Sequence, residues 1–182
     1  MASDRFRAYD AAALEPIVDT MARRALALLD DVPTTLLGML RRGAPLAERL
    51  HARMRALRPN VEVARLDLKV QRYADDLHLL HPDTALEAPV GANVAGHRVL
   101  VVDDVLYQGH SMYRVFDWLR AQRAAFVHGV VLVDRRCAVL PVHADVAGLV
   151  LQIAPHDVIE CNVPPFEAEF AVDIWRPGSL PG

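Results

Sequence analysis

The chain has 182 residues, 53% of them hydrophobic, and a formal charge of −3. That length suits one well-buried core, and that hydrophobicity excludes a disordered chain. The mild negative balance excludes a global electrostatic pull toward nucleic acid, although nearly all of the cations are arginines that could gather locally. The two separated cysteines, Cys137 and Cys161, make neither a disulfide framework nor a zinc site and read as small buried apolar residues. The opening stretch MASDRFRAYD holds no apolar signal-peptide core, and no run approaches the ~18 residues of a membrane span, so a soluble, cytoplasmic protein is expected.

Residues 10 to 31 carry Leu14, Ile17, Val18, Met21, Ala25 and Leu28 at helical spacing, with Asp10 as the N-cap and Pro16 near the start. Pro33 stops that helix, and TTLLGML (34 to 40) reads as a buried strand ending in Arg41-Arg42-Gly43. A second amphipathic helix is predicted from Pro45 to Leu57, followed by an alternating strand, VEVARLDLKVQ, over 61 to 71. Residues 73 to 97 hold Pro82, Pro89, Gly91 and Gly96 without periodicity and read as a long functional loop. A buried strand (98 to 103), a turn (104 to 110), a helix (111 to 124) and a buried strand (127 to 134) follow. Three further strands are predicted near 145 to 153, 157 to 163 and 168 to 175.

Alternating strands and helices imply an α/β fold with a central, mostly parallel sheet flanked by helices. Ligands of such sheets sit at the carboxyl ends of the strands. The charged groups expected there are Arg41 and Arg42, Arg72, Asp103 and Asp104, and Asp134 and Arg135.

Residues 99 to 111, VLVVDDVLYQGHS, carry the chemistry. Four apolar residues bury a strand, and two carboxylates then stand side by side. Burying them unpaired would cost on the order of several kcal/mol, so a solvent-filled edge is expected. An acidic pair suits the vicinal hydroxyls of a ribose and can organise a hydrated Mg²⁺. Gln108-Gly109-His110-Ser111 then lets backbone N–H groups converge at a helix N-terminus, which forms a phosphate cradle. Ser111 by itself would be an ordinary N-cap.

This segment resembles the phosphoribosyl-pyrophosphate (PRPP) motif of type I phosphoribosyltransferases. VVDDVLYQGHS is similar to the VDDVLYTGRT of the PyrR family, pyrimidine-operon attenuators that also have uracil phosphoribosyltransferase activity. GMLRRGAPLAERL (38 to 50), LDLKVQR followed by DDL (66 to 77) and LVDRRCAVLPVHAD (132 to 145) resemble further family segments in the same order. The resemblance spans about residues 10 to 163.

The resemblance implies the type I phosphoribosyltransferase fold with a small C-terminal hood. It implies one domain over 1–182, with a flexible loop at 72–97 and an extension at 164–182. Asp103 and Asp104 would hold the ribose, with Asp103 near Mg²⁺, directly or through water. Val105 and Leu106 would be substrate-binding, Tyr107 would help choose the base, and Gln108, Gly109, His110 and Ser111 would hold the 5′-phosphate. Leu40, Arg41, Arg42 and Gly43 would form the pyrophosphate turn, with Arg72 near it. Arg42, Arg72 and Asp104 would carry catalysis. Tyr107 stands where purine-specific relatives use an aspartate, which points to uracil. The implied ligands are PRPP, uracil or UMP, and Mg²⁺, in a homodimer or higher homo-oligomer.

The sequence also departs from the family. Gln108, His110 and Ser111 replace Thr, Arg and Thr of the phosphate turn, and Arg136-Cys137-Ala138-Val139 replaces a GHRE segment. Leu149 stands where the family has a basic residue. Several of these positions belong to the family's RNA-binding face, so RNA is the partner they weaken; Arg23 and Arg24 read as a solvated helix face, with a small basic patch as the alternative. The alternative to an active enzyme is a weakened transferase that senses nucleotide or PRPP and regulates pyrimidine genes.

Overall fold

The computed structural model describes residues 4–70 and 86–176. In chain order the elements are β1 (Asp4–Tyr9), α1 (Ala11–Ala27), β2 (Thr34–Leu40), α2 (Gly43–Leu57), β3 (Val63–Val70), β4 (Leu86–Glu87), β5 (Arg98–Leu106), α3 (His110–Ala121), β6 (Phe126–Asp134), β7 (Val146–Val150), β8 (Val158–Asn162) and β9 (Ala171–Arg176).

The main sheet has the order β4-β3-β2-β5-β6-β7. All of its pairings are parallel except the short antiparallel β3–β4 contact. Its two faces are covered by different helices. Leu14, Val18 and Met21 of α1 and Leu46, Leu50 and Met54 of α2 pack with Leu36, Leu100, Val102 and Leu132. On the other face, Val115 and Leu119 of α3 pack with Leu37, Met39, Val99 and Val101. Both faces being covered explains why β2 and β5 read as continuous apolar runs rather than alternating ones.

Several local signals act as expected. Asp10 caps α1, its carboxylate accepting the Ala13 N–H at 2.9 Å. Gly43 opens α2 because a Cβ there would stand 2.3 Å from the Val102 carbonyl oxygen. The missing side chain thus lets α2 press onto the backbone of β5 just before the acidic pair.

A second, antiparallel sheet of order β1-β9-β8 stands over the carboxyl edge of the first. Ile159, Cys161, Val172 and Ile174 join the α1–α2 core. Across its strands Arg5, Trp175 and Val158 form one row, and Arg7, Asp173 and Glu160 form another. This is the expected hood, and it is larger than expected, because β1 from the N-terminus and β9 from the extension complete it. DRFRAY alternates over too few residues to announce a strand, with only Phe6 and Ala8 alternating with arginines; it is an edge strand held by pairing and charge. Arg5 and Arg7 both donate to Asp173, at 2.9 and 3.0 Å.

Other expectations are corrected. β5 continues through the acidic pair to Leu106 instead of turning at 104, and α3 starts at His110, with Gly109 as its N-cap. Ser111 is therefore inside the first turn and is not a cap. The loop expected over 73–97 includes β4 and the buried Val94, while its residues up to 85 lie outside the described part. Cys161 is buried as expected, but Cys137 is exposed. No described helix is long and apolar enough to cross a membrane.

Candidate phosphoribosyl site

A cleft of about 950 Å³ opens at the carboxyl edge of the parallel sheet, beneath the hood. Its floor is continuous chain, Asp103 to Met112, joined by Arg42 and Arg135 from neighbouring strand ends and by Arg5, Asp157, Val158, Glu160 and Trp175 from above. Among the expected site residues, Arg42 and Asp103 to Ser111 line it. Leu40, Arg41 and Gly43 do not, and Arg72 lies outside the described residues.

The acidic pair is buried in the strand rather than set on a wet edge, with Asp103 5% and Asp104 4% exposed. Local backbone contacts make this tolerable. Asp103 Oδ1 accepts the Asp104 N–H at 2.9 Å, and Asp104 Oδ1 accepts the Val105 N–H at 3.0 Å. The inside–outside alternation of β5 also changes phase here. Leu100 and Val102 face the α1–α2 core and Val101 faces α3, yet beyond the pair Val105 packs with the first core and Leu106 with the α3 side. That slip lets two consecutive residues line one cleft, which a regular strand would place on opposite faces.

The turn into α3 is built by Gly109. Its φ of +89° is a left-handed conformation that a side chain would strain. A Cβ there would also stand 2.4 Å from Val142 Cγ2. No side chain caps α3, so the first-turn N–H groups and the Ser111 hydroxyl are presented to the cleft. His110 is exposed, and the Gln108 carbonyl accepts the Val139 N–H at 3.0 Å.

Beyond the acidic pair lies a flat surface. The Arg135 guanidinium lies 4.3 Å from the Tyr107 ring centroid. Arg135 is 8% exposed, its Nη2 reaches the Ala154 carbonyl at 3.4 Å, and its Nε has no protein partner. Nearby, Asp157 accepts from Arg176 at 3.4 Å.

At the other end, Arg42 donates to Glu167 Oε1 from Nε at 3.0 Å, and its Nη2 stands 2.9 Å from the same oxygen in an ion pair. Glu160 and Asp104 stand 3.6 and 3.9 Å from it. For Glu167, burial pushes the pKa up, but the Val163 N–H and the Arg42 guanidinium outweigh it and hold the carboxyl below its ordinary value. Burial disfavours the Arg42 cation, yet Glu167 and Asp104 keep it firmly protonated. Arg41 points elsewhere, its guanidinium 4.9 Å from the Phe166 ring centroid.

Glu160, Glu167, Trp175 and Arg5 were not foreseen as neighbours of the site. The only signal was the strand-like alternation of FEAEFAVDIW, which says nothing about which carboxylate meets Arg42. Arg24, read as part of a solvated helix face, also donates to the Ala147 and Asp145 carbonyls at 2.9 and 3.1 Å, at the start of β7. Among the described residues no group of three His, Cys, Asp or Glu side chains could hold a metal alone. The two carboxylates of β5 do fit a hydrated Mg²⁺ whose remaining ligands come from a phosphorylated substrate.

Comparison with solved structures shows the fold. The hypoxanthine phosphoribosyltransferase of Trypanosoma cruzi superimposes with a TM-score of 0.72 at 17% identity, over 94% of this chain and 97% of that one. The enzyme of that name from Staphylococcus aureus gives 0.67 at 14% identity, over 84% and 81%. A family model described as the phosphoribosyl transferase domain matches residues 8–165. The Bifunctional protein PyrR of Deinococcus radiodurans is 35% identical over 147 residues, 80% of each chain, and that of Pasteurella multocida is 31% identical over 154 residues, 82% of this chain and 83% of the other. The chain belongs to the PyrR family of type I phosphoribosyltransferases.

Proposed function

We propose that this protein transfers the 5-phosphoribosyl group of PRPP to uracil, forming UMP and releasing pyrophosphate. The observation that carries the reading is the single stretch of chain that joins a buried acidic pair to an uncapped helix N-terminus within one cleft.

In this reading the N–H groups at the start of α3 and the Ser111 hydroxyl hold the phosphate. Asp103 and Asp104 accept hydrogen bonds from the ribose hydroxyls and fix the sugar. The bond from ribose C1 to the pyrophosphate oxygen breaks as the bond to uracil N1 forms, and the N1 proton leaves to solvent. Positive charge that builds on the sugar in between lies close to the two buried carboxylates. Arg42 attracts the departing pyrophosphate; Mg²⁺, if carried in with PRPP and held beside Asp103 and Asp104, would supply further charge neutralisation there. The Tyr107–Arg135 pair supplies a flat face for the base, with guanidinium donors for its carbonyls. Catalysis is positioning and electrostatics, and no covalent nucleophile is needed. The Bifunctional protein PyrR relatives support the uracil and regulatory parts of the reading.

Incubation of the purified protein with uracil, PRPP and Mg²⁺ is expected to yield UMP. PRPP binding without UMP would instead favour the sensing alternative. A salt-dependent, nucleotide-modulated gel shift with a pyrimidine-gene leader would add RNA as a partner. Light scattering tests the expected homo-oligomer.

A further inference from the structure

The segment after Val163 lies almost wholly beyond the family match at 8–165, yet it reaches the turn between β2 and α2. Two of its consecutive side chains engage two consecutive arginines. Phe166 lies under Arg41 at 4.9 Å, and Glu167 Oε1 accepts from Arg42 Nε at 3.0 Å and pairs with its Nη2 at 2.9 Å. The second Glu167 oxygen accepts the Val163 N–H at 2.9 Å, so the carboxylate is held from both sides. Glu160, itself paired with Arg5 at 3.0 Å, and Asp104 complete the acidic surroundings of Arg42.

We propose that Glu167 is a specificity-determining residue, a resident anion on Arg42 that a pyrophosphate-bearing ligand must displace and a nucleoside monophosphate need not. The proposal rests on reading Arg42 as the pyrophosphate residue. A guanidinium has five donors in a fixed fork, and Glu167 already uses the Nε side of it. A pyrophosphate arriving there meets three carboxylates within 3.9 Å of the cation it needs. It binds only when Glu167 lets go, and that breaks the Val163 contact as well. A nucleoside monophosphate places its one phosphate at α3, across the acidic pair, and leaves the Arg42–Glu167 contact intact. The resting site is thereby biased toward the nucleotide and against PRPP.

Calorimetric titration of the full chain with PRPP and, separately, with UMP, both in Mg²⁺, tests this. Glu167→Gln keeps the size and an acceptor oxygen for the Val163 N–H but removes the charge. PRPP is expected to bind the variant roughly tenfold more tightly, with UMP affinity unchanged within about twofold, since a desolvated charge pair is worth far more than an exposed one. Phe166→Ala loosens the same segment from its exposed side and is expected to tighten PRPP in the same direction. PRPP affinity that stays put or weakens in a folded variant overturns the proposal, as does an equal gain for both ligands. If Glu167→Gln does not fold, the Phe166→Ala titration decides by the same criteria. Wild-type protein that binds neither PRPP nor UMP would sink the phosphoribosyl reading itself, a different result from binding both with no shift in their ratio.

Discussion

Asp104 is the residue on which the site reading depends most. Its carboxylate is buried, accepts the Val105 N–H and stands 3.9 Å from Arg42. Asp104→Asn preserves shape and an acceptor but removes the charge that would hold ribose. PRPP affinity is expected to fall by about 10- to 100-fold, measured by calorimetry, because hydrogen bonds to a charged group are worth ~1.5–3 kcal/mol. At Gln108, where the family has threonine, Gln108→Thr is expected to keep or improve phosphate affinity; a large loss would assign the glutamine its own contact. The cysteines differ in an equally checkable way. Burial, reinforced by Asp104, pushes the Cys161 thiol well above its ordinary pKa, whereas Cys137 is exposed. A thiol reagent is expected to label Cys137 alone in the native protein, and rapid labelling of both would contradict this packing.

At the scale of elements, the order of strands and helices was readable because each buried element carries its own period. TTLLGML coincides with β2, and the second amphipathic pattern coincides with most of α2. The elements that escaped are those whose stability comes from elsewhere. β4 has two residues, too few to show any period. β1 is polar and depends on its pairing with β9 across nearly the whole chain. The acidic pair was placed at a wet edge because carboxylates in a strand are costly. The structure offsets that cost with backbone N–H donors and a change of phase, neither of which leaves a mark in composition. Where helix and strand meet, the glycines carry a prediction. Gly43→Ala sets a methyl group against the Val102 carbonyl at 2.3 Å, where backbone must move. A loss of ~2 kcal/mol or more is expected in denaturant unfolding, in line with the cost of overpacking. PRPP affinity should fall with it, because α2 and the acidic pair share that contact.

Over the whole molecule, the hood and the sheet are joined by charge, through Arg42 to Glu160 and Glu167, as well as by apolar packing, and charge also ties the hood's own strands together. Asp173 is held by Arg5, Arg7 and Asn162. Burial raises its pKa, but the two arginines outweigh burial and bring the value below normal. Far from the cleft, hydrogen bonds from Arg98 and the Val32 N–H lower Asp30 from 3.8 to about 2. For each of these carboxylates the folded pKa lies below the unfolded one, so the unfolded chain takes up protons first as pH falls. The stability that Asp30 supplies is complete above about pH 4 and drains away between there and about 2, and that of Asp173 is likewise lost on the acid side of its ordinary range. Thermal melts are expected to fall steeply through that window, and an Asp30→Asn variant should lose part of the slope.

The complex with UMP tests the central claim most directly. A crystal structure of it is expected to show the phosphate against the N–H groups of Gly109 to Met112, the ribose hydroxyls on Asp103 and Asp104, and uracil beside Tyr107 and Arg135. A nucleotide bound outside this cleft, or one whose phosphate is excluded from the α3 terminus by Gln108, would contradict it.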